Sequence, residues 1–400
     1  MSNNVAASVP KYWSRRMQLK HEKTDVFRAI ANFEEEGTLK NGDTVHRPYR
    51  STLVGQDYTK GAAFTTQDIT DADEYLVVDQ TKIVPFYVDS VDSLQSNYKT
   101  MNLYADDAAI VLSNLIDGAV LGEYDQATSS VDDADLGGTS GNGITVTTAN
   151  LLKLFSNAAR KLDAQNIGQD ERFAVISPQV AQVLMEYLAG KESQLGDSTG
   201  QNGNIGKFYG FTLYKSNSCG WSGELLVGTL PTDGDTVVIN GVTFAFETGT
   251  IDAAGKVKAV TDADTSAANL VAAINAPGTT SATFQALSAA DQAKLKGITA
   301  TADAVNHKIT LKVTGKSYIA VSETLTAAAD IWTAAKQIQH NLFGRKGAVD
   351  VVIQKYPNVE FKDVPDKLGK NVAPWTLYGK KTFSEGAKAL VDVKVRSDQF

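Results

Sequence analysis

Among the 400 residues there is one cysteine, Cys219, and only four histidines. A single cysteine excludes an intrachain disulfide and a thiolate metal cluster. His21, His46, His307 and His340 stand far apart and at no ligand spacing, so nothing in the sequence points to a metal or another cofactor. No run of eighteen apolar residues occurs, which leaves no segment expected to span a membrane as a helix. Met1 to Pro10 is small and polar and lacks the apolar centre of a secretory leader. Positive charge is also in short supply: 38 Lys and Arg against 46 Asp and Glu give a formal net charge of -8. That balance argues against sequence-independent nucleic-acid binding by the whole molecule, while leaving room for a local basic segment. The expected setting is a reducing cytoplasm.

What is present is an ordinary globular mixture, 42% hydrophobic and 21% charged, long enough for two or three domains. The first forty residues read as an arm. Tyr12, Trp13, Met17 and Leu19 lie among Lys11, Arg15, Arg16, Lys20 and Lys23, a pattern that fits a basic amphipathic helix. Its plain role is a solvated helix on a neighbour; its sharper role is an inner-surface helix facing DNA or an acidic scaffold. Residues 41–87 look extended. Strands are expected over 44–49, 75–78 and 83–88, with the polar stretch 55–70 projecting between them. Leu94, Tyr98, Met101, Ala105, Ala108, Leu112, Leu115 and Ala119 then recur at spacings of four and three. They predict a helix over 94–121, capped by Asp92 or Ser93 and about 40 Å long.

Residues 126–146 are rich in Ser, Gly and Asp and read as a hinge. Thr147 or Thr148 is expected to cap a helix carrying Leu151, Leu154, Phe155, Ala158 and Leu162. Phe173–Ile176 reads as a buried strand, and Ser177-Pro178 as the start of a helix ended by Gly190. This alternation marks an α/β lobe. From 223 to about 330 the composition turns to Ala, Thr, Gly and Asp. Asn240-Gly241 between two strand-like runs is a hairpin signal. Together these predict a separate β-rich module inserted in the lobe. Residues 331–341 are expected to be helical, and strands follow near 349–353, 375–382 and 389–395.

Fragments that imitate catalytic motifs fail at a required position. Gly203 to Lys207 lacks the spacing and the hydroxyl residue of a phosphate loop, because Phe208 stands in its place. Gly315-Lys316-Ser317 has Thr310 where the first glycine is needed. Gly220-Trp221-Ser222-Gly223 resembles a nucleophile elbow, but Glu224 occupies the second glycine's place. The acidic clusters 71–74 and 132–135 read as solvated loop charges. No catalytic, cofactor or metal residue is therefore assigned.

The order of elements and the run Ile205-Gly206-Lys207-Phe208-Tyr209-Gly210-Phe211-Thr212-Leu213-Tyr214-Lys215-Ser216-Asn217 resemble the Hong Kong 97-type capsid fold of tailed phages. Arg172–Pro178, Asn341–Val349 and Ala387–Val395 resemble further segments of such coat proteins. The resemblance covers everything outside 223–330. It implies an α+β Hong Kong 97-like fold with an N-terminal arm (1–40) and an extended loop (41–87). A peripheral domain with the spine helix takes 88–146 and 355–400, and an apical domain takes 147–222 and 331–354. The β-rich domain 223–330 is inserted into the latter. It further implies a major capsid protein, not an enzyme, forming hexamers and pentamers of an icosahedral head in the host cytoplasm. Scaffolding and portal proteins are the implied partners, with packaged DNA bound non-specifically on the inner face and no membrane. Lys11, Arg15, Arg16 and Lys20 are the expected inner-surface or interface residues. Lys60 is the one candidate in the outer loop for the lysine cross-link some relatives make. A phage tail, fibre or cell-binding protein is the first alternative, and an encapsulin-like shell the second.

Overall fold

The computed structural model describes residues 25–37, 42–50, 53–91, 100–190, 206–260, 262–364 and 368–397. It is built around three main apolar cores, each lying where elements with one apolar face meet.

The first core belongs to the α/β lobe. Strand Arg172–Ile176 is buried along its whole length, as befits a central strand. It pairs in parallel with Phe211–Lys215 and antiparallel with Ile338–Arg345. Ile338–Arg345 also pairs with Leu390–Arg396, which takes Ser129–Val131 on its other edge. Helices Leu151–Ala164 and Pro178–Ala189 cover this sheet, and their buried positions recur at helical spacing: Leu151, Leu154, Phe155, Ala158, Leu162, and Val180, Ala181, Leu184, Leu188. Pro178 does stand at the first helical turn, but the Ser177 hydroxyl makes no capping bond. The Ser177 N–H instead donates to Asn341 Oδ1 at 2.6 Å. The first helix is capped neither by Thr147 nor by Thr148. Asn150 holds the capping position, and its Oδ1 accepts from the Thr147 N–H.

Residues 331–341 depart most from expectation. Only Ala334–Lys336 forms a helical turn, of the 3-10 type, and Ile338–Arg345 is a strand. Over so short a run the apolar spacing suits either period. The strand prevails because it finds partners on both edges, in Gly220–Leu226, Arg172–Ile176 and Leu390–Arg396.

The second core joins the long helix to a four-stranded sheet. Asp350–Asp363 pairs with Gly369–Lys381, whose other edge takes Gln80–Ile83 and Phe86–Asp89. The single strand expected over 83–88 is split at Val84-Pro85, since proline has no N–H for the ladder. Strand Asp350–Asp363 runs through the expected division at 354/355, while Leu390–Arg396 joins the α/β sheet, not this one. The helix is observed over Thr100–Leu121; Asp92, Ser93, Leu94 and Tyr98 fall outside the described residues. Its buried stripe is Ala108, Leu112, Ile116 and Val120, at a spacing of four, whereas Leu115 is 39% exposed. Phe27 and Ile30 pack in the same core.

The third core gathers Val237, Ile239, Phe244, Phe246, Leu270, Ile274, Leu295, Ile309, Leu311 and Val313 with Trp221, Leu225 and Trp332. Asn240 and Gly241 both have positive φ, 51° and 73°, and link Ile239 directly to Val242 in a two-residue primed turn. Asp262 caps the helix Ala263–Asn275 by accepting from the Thr265 N–H at 2.7 Å. Two strands of this region, Ile298–Asp303 and Lys308–Val313, do not stand apart. Lys308–Val313 pairs with Gly220–Leu226, which continues into the α/β sheet through Ile338–His340. The expected boundary at 222/223 thus falls inside a strand. The turn after Lys308–Val313 also lies on the long helix: a Cβ placed on Gly118 would meet Gly315 Cα at 2.7 Å.

Candidate assembly surface

Thr44–Arg50 and Asp71–Val77 form an antiparallel hairpin in continuous register. Leu76, buried against Val352 and Phe383 with Val45 packed beside it, anchors the base of the hairpin, and the rest of both strands is half-buried or exposed. Arg47 is the hub. Its Nη1 donates to Asp350 Oδ2 at 3.1 Å, and its Nη2 to Asp350 Oδ1 at 3.2 Å and Glu35 Oε1 at 3.0 Å. The guanidinium also lies 4.5 Å from the centre of the Phe383 ring. Burial pushes the Asp350 carboxyl above the ordinary aspartate value, and the nearby Arg47 charge offsets only part of that. Such a pair adds more positional certainty than stability, and losing Arg47 would strand a buried carboxylate. The short helix Ser384–Lys388 supplies a second clamp. Glu74 accepts from the Ser384 N–H at 3.0 Å and from its hydroxyl, and these bonds hold the Glu74 carboxyl below its ordinary value. Tyr49 donates to Glu385 at 3.0 Å.

Beyond this clamped base, residues 53–70 run without regular secondary structure. Leu53, Val54, Tyr58, Phe64 and Ile69 are between 64 and 74% exposed there. Five large apolar side chains on one projecting loop far exceed the scattered exposure normal for a soluble chain. Lys60 is exposed on the same loop.

Lys11, Arg15, Arg16 and Lys20 lie outside the described residues, as does His21. Residues 25–37 are described. Asp117, fully buried in the long helix, accepts from the N–H groups of Val26 at 2.8 Å and Phe27 at 3.0 Å. Ser113 donates to Asp25 at 2.6 Å. Sequence reasoning passed over Asp117. A lone aspartate four residues from the helix end reads as solvated, and only the return of residues 25–30 gives it partners.

The imitated motifs fare differently from one another. Gly203, Asn204 and Ile205 fall outside the described residues, and Gly315 is pressed against Gly118. Ser222, however, meets a histidine and an aspartate. Its Oγ is 2.9 Å from His340 Nε2, and His340 Nδ1 is 2.9 Å from Asp392 Oδ2. The three stand on the adjacent strands Gly220–Leu226, Ile338–Arg345 and Leu390–Arg396. Tyr124 stacks on the imidazole, ring centres 3.9 Å apart and planes 7° from parallel. Burial pushes the Tyr124 phenol well above its ordinary value. Among the described residues no group of three or more His, Cys, Asp or Glu is placed to hold a metal, and no helix is long and apolar enough to cross a membrane.

No family model and no curated protein matches the chain. Solved phage structures do. A chain from Mycobacterium phage Che8 superposes with a TM-score of 0.58 at 15% identity, covering 98% of each chain. One from the capsid of cyanophage P-SCSP1u gives 0.52 at 11% identity, covering 98% of this chain and 94% of that one. One from the capsid of Ralstonia phage GP4 gives 0.50 at 11% identity, covering 100% and 99%. At such identities the likeness speaks to fold. The chain has the α+β fold of phage capsid chains, the class that the 205–217 segment resembles.

Proposed function

We propose that this protein is the structural subunit of a bacteriophage head: a major capsid protein that works through interfaces, not turnover. The observation that carries the reading is the projecting loop, apolar at its tip and clamped at its base, on a chain of this fold. Covering each of Leu53, Val54, Tyr58, Phe64 and Ile69 would contribute about 1.5–3 kcal/mol before ordering costs. Residues 53–70 are exposed along their whole length, so the surface they would cover belongs to another copy. A contact of one patch with a different patch is heterologous and closes into rings, here hexamers and pentamers. In this reading the rings build an icosahedral shell around DNA, assembled in the host cytoplasm with scaffolding and portal proteins. Lys11, Arg15, Arg16 and Lys20 face the interior or a neighbouring subunit. Residues 223–330 form a module on the outer surface, sharing a sheet edge with the apical lobe. Electron microscopy of the purified protein tests this. Closed shells, lost when Tyr58 and Phe64 are both replaced by Ser, are expected. Fibres would favour the tail or fibre alternative, and single particles at every concentration would overturn self-assembly.

A further inference from the structure

We infer that Ser222 is an activated nucleophile, a modification site that accepts an acyl or phosphonyl group from a small reactive ester or fluorophosphonate. This goes beyond the shell reading and does not depend on it. The hydroxyl, imidazole and carboxylate stand in the order that activates a serine: Ser222 Oγ to His340 Nε2 at 2.9 Å, and His340 Nδ1 to Asp392 Oδ2 at 2.9 Å. In the tautomer these partners favour, Nδ1–H donates to Asp392 and Nε2 accepts from the serine O–H. The nitrogen facing Ser222 is then the basic one.

The surroundings hold that arrangement still. The side chains of His340 and Asp392 are each only 7% exposed, and the Tyr124 ring fixes the plane of the imidazole. All three members sit on paired strands of one sheet, which fixes their spacing better than loops would. Ser222 itself is half-buried. Asp392 Oδ1 is buried without a hydrogen-bond partner. Lys312 stands directly across the ladder from Ser222, so both side chains rise from the same face. Its ammonium is paired with Asp125 at 2.9 Å.

With a fluorophosphonate the step is simple substitution. Ser222 Oγ bonds to phosphorus, the phosphorus–fluorine bond breaks, fluoride leaves, and the hydroxyl proton passes to His340 Nε2.

The experiment uses the full-length protein, an alkyl fluorophosphonate and peptide mapping by mass spectrometry. One phosphonyl group per chain is expected, on Ser222, and none at that peptide in Ser222→Ala. Base assistance is commonly worth roughly 100-fold or more, so the folded protein should label at least ~10-fold faster than the same chain in urea. His340→Gln and Asp392→Asn, labelled at a temperature where each is still folded by circular dichroism, should slow labelling by a similar factor. Should His340→Gln not fold, Asp392→Asn and the urea comparison decide the matter. The inference is overturned if the folded chain carries no adduct on Ser222, if folded and unfolded chains label equally fast, or if folded His340→Gln or Asp392→Asn labels as fast as the parent.

Discussion

Replacing Gly118 by alanine should destabilise the protein, although the same change in an open helix does the opposite. In an unhindered helix interior Gly→Ala stabilises by roughly 0.5–1 kcal/mol, because alanine has less backbone freedom to lose. At position 118 the new Cβ would lie 2.7 Å from Gly315 Cα and 3.1 Å from Gly315 N. Those atoms are backbone and cannot rotate away. The turn continues strand Lys308–Val313, which is fixed between Ile298–Asp303 and Gly220–Leu226, and the Ser317 N–H is tied to the Asn217 carbonyl at 3.1 Å. Overpacking of this kind costs about 1–3 kcal/mol, with the upper part fitting a backbone neighbour. The net expectation is a loss of about 1–2 kcal/mol, which calorimetry would read as a fall of a few degrees. Gly122 provides the control. Its Cβ would meet Thr314 Cγ2 at 2.7 Å, the end of a side chain, so Thr314→Ser should rescue Gly122→Ala but not Gly118→Ala. A Gly118→Ala protein that melts higher than the parent would refute the close approach, and with it the seating of residues 314–315 on the long helix.

Asp117→Ala leaves two buried N–H groups without an acceptor, a loss on the order of 1–3 kcal/mol for each, whereas Asp117→Asn keeps both on its carbonyl oxygen, weakened by the loss of charge. Hydrogen exchange at Val26 and Phe27 should accelerate strongly in the first variant and modestly in the second. Reversing Arg15 and Arg16 to Glu should lower particle yield or DNA content, most at low salt where such contacts are least screened. Normal yields across salt concentrations would remove those residues from any interface. The carboxyl of Glu74 sits below its ordinary value, so its bonds to Ser384 persist above the usual carboxylate range and are lost as pH falls through the lowered value. Exchange at the Ser384 amide should therefore rise only on acidification below the ordinary glutamate range, and Glu74→Gln should flatten that response.

The strongest local signals were legible without any structure. Asn240-Gly241 favours a primed turn between two strands, because both residues tolerate positive φ, and Ser177-Pro178 after a buried strand favours a helix start. The helix over 100–121 and the apolar set of the 223–330 region follow from periodicity, which reports burial directly. What sequence could not settle was partnership. Residues 338–345 carry a pattern compatible with either period, and three distant strands made them a strand. Asp117 gains its partners only through the return of residues 25–27, and the periodic set held Leu115 where the structure buries Ile116, for want of the same information. Ser222 failed as a motif because Glu224 broke the pattern, yet His340 and Asp392 reach it across neighbouring strands from 118 and 170 residues away. Turn chemistry and periodicity act between residues a few positions apart, so the chain fixes them by itself. Strand pairing, buried carboxylates and relays join residues whose separation the sequence does not encode, and they exist only once the sheets have closed.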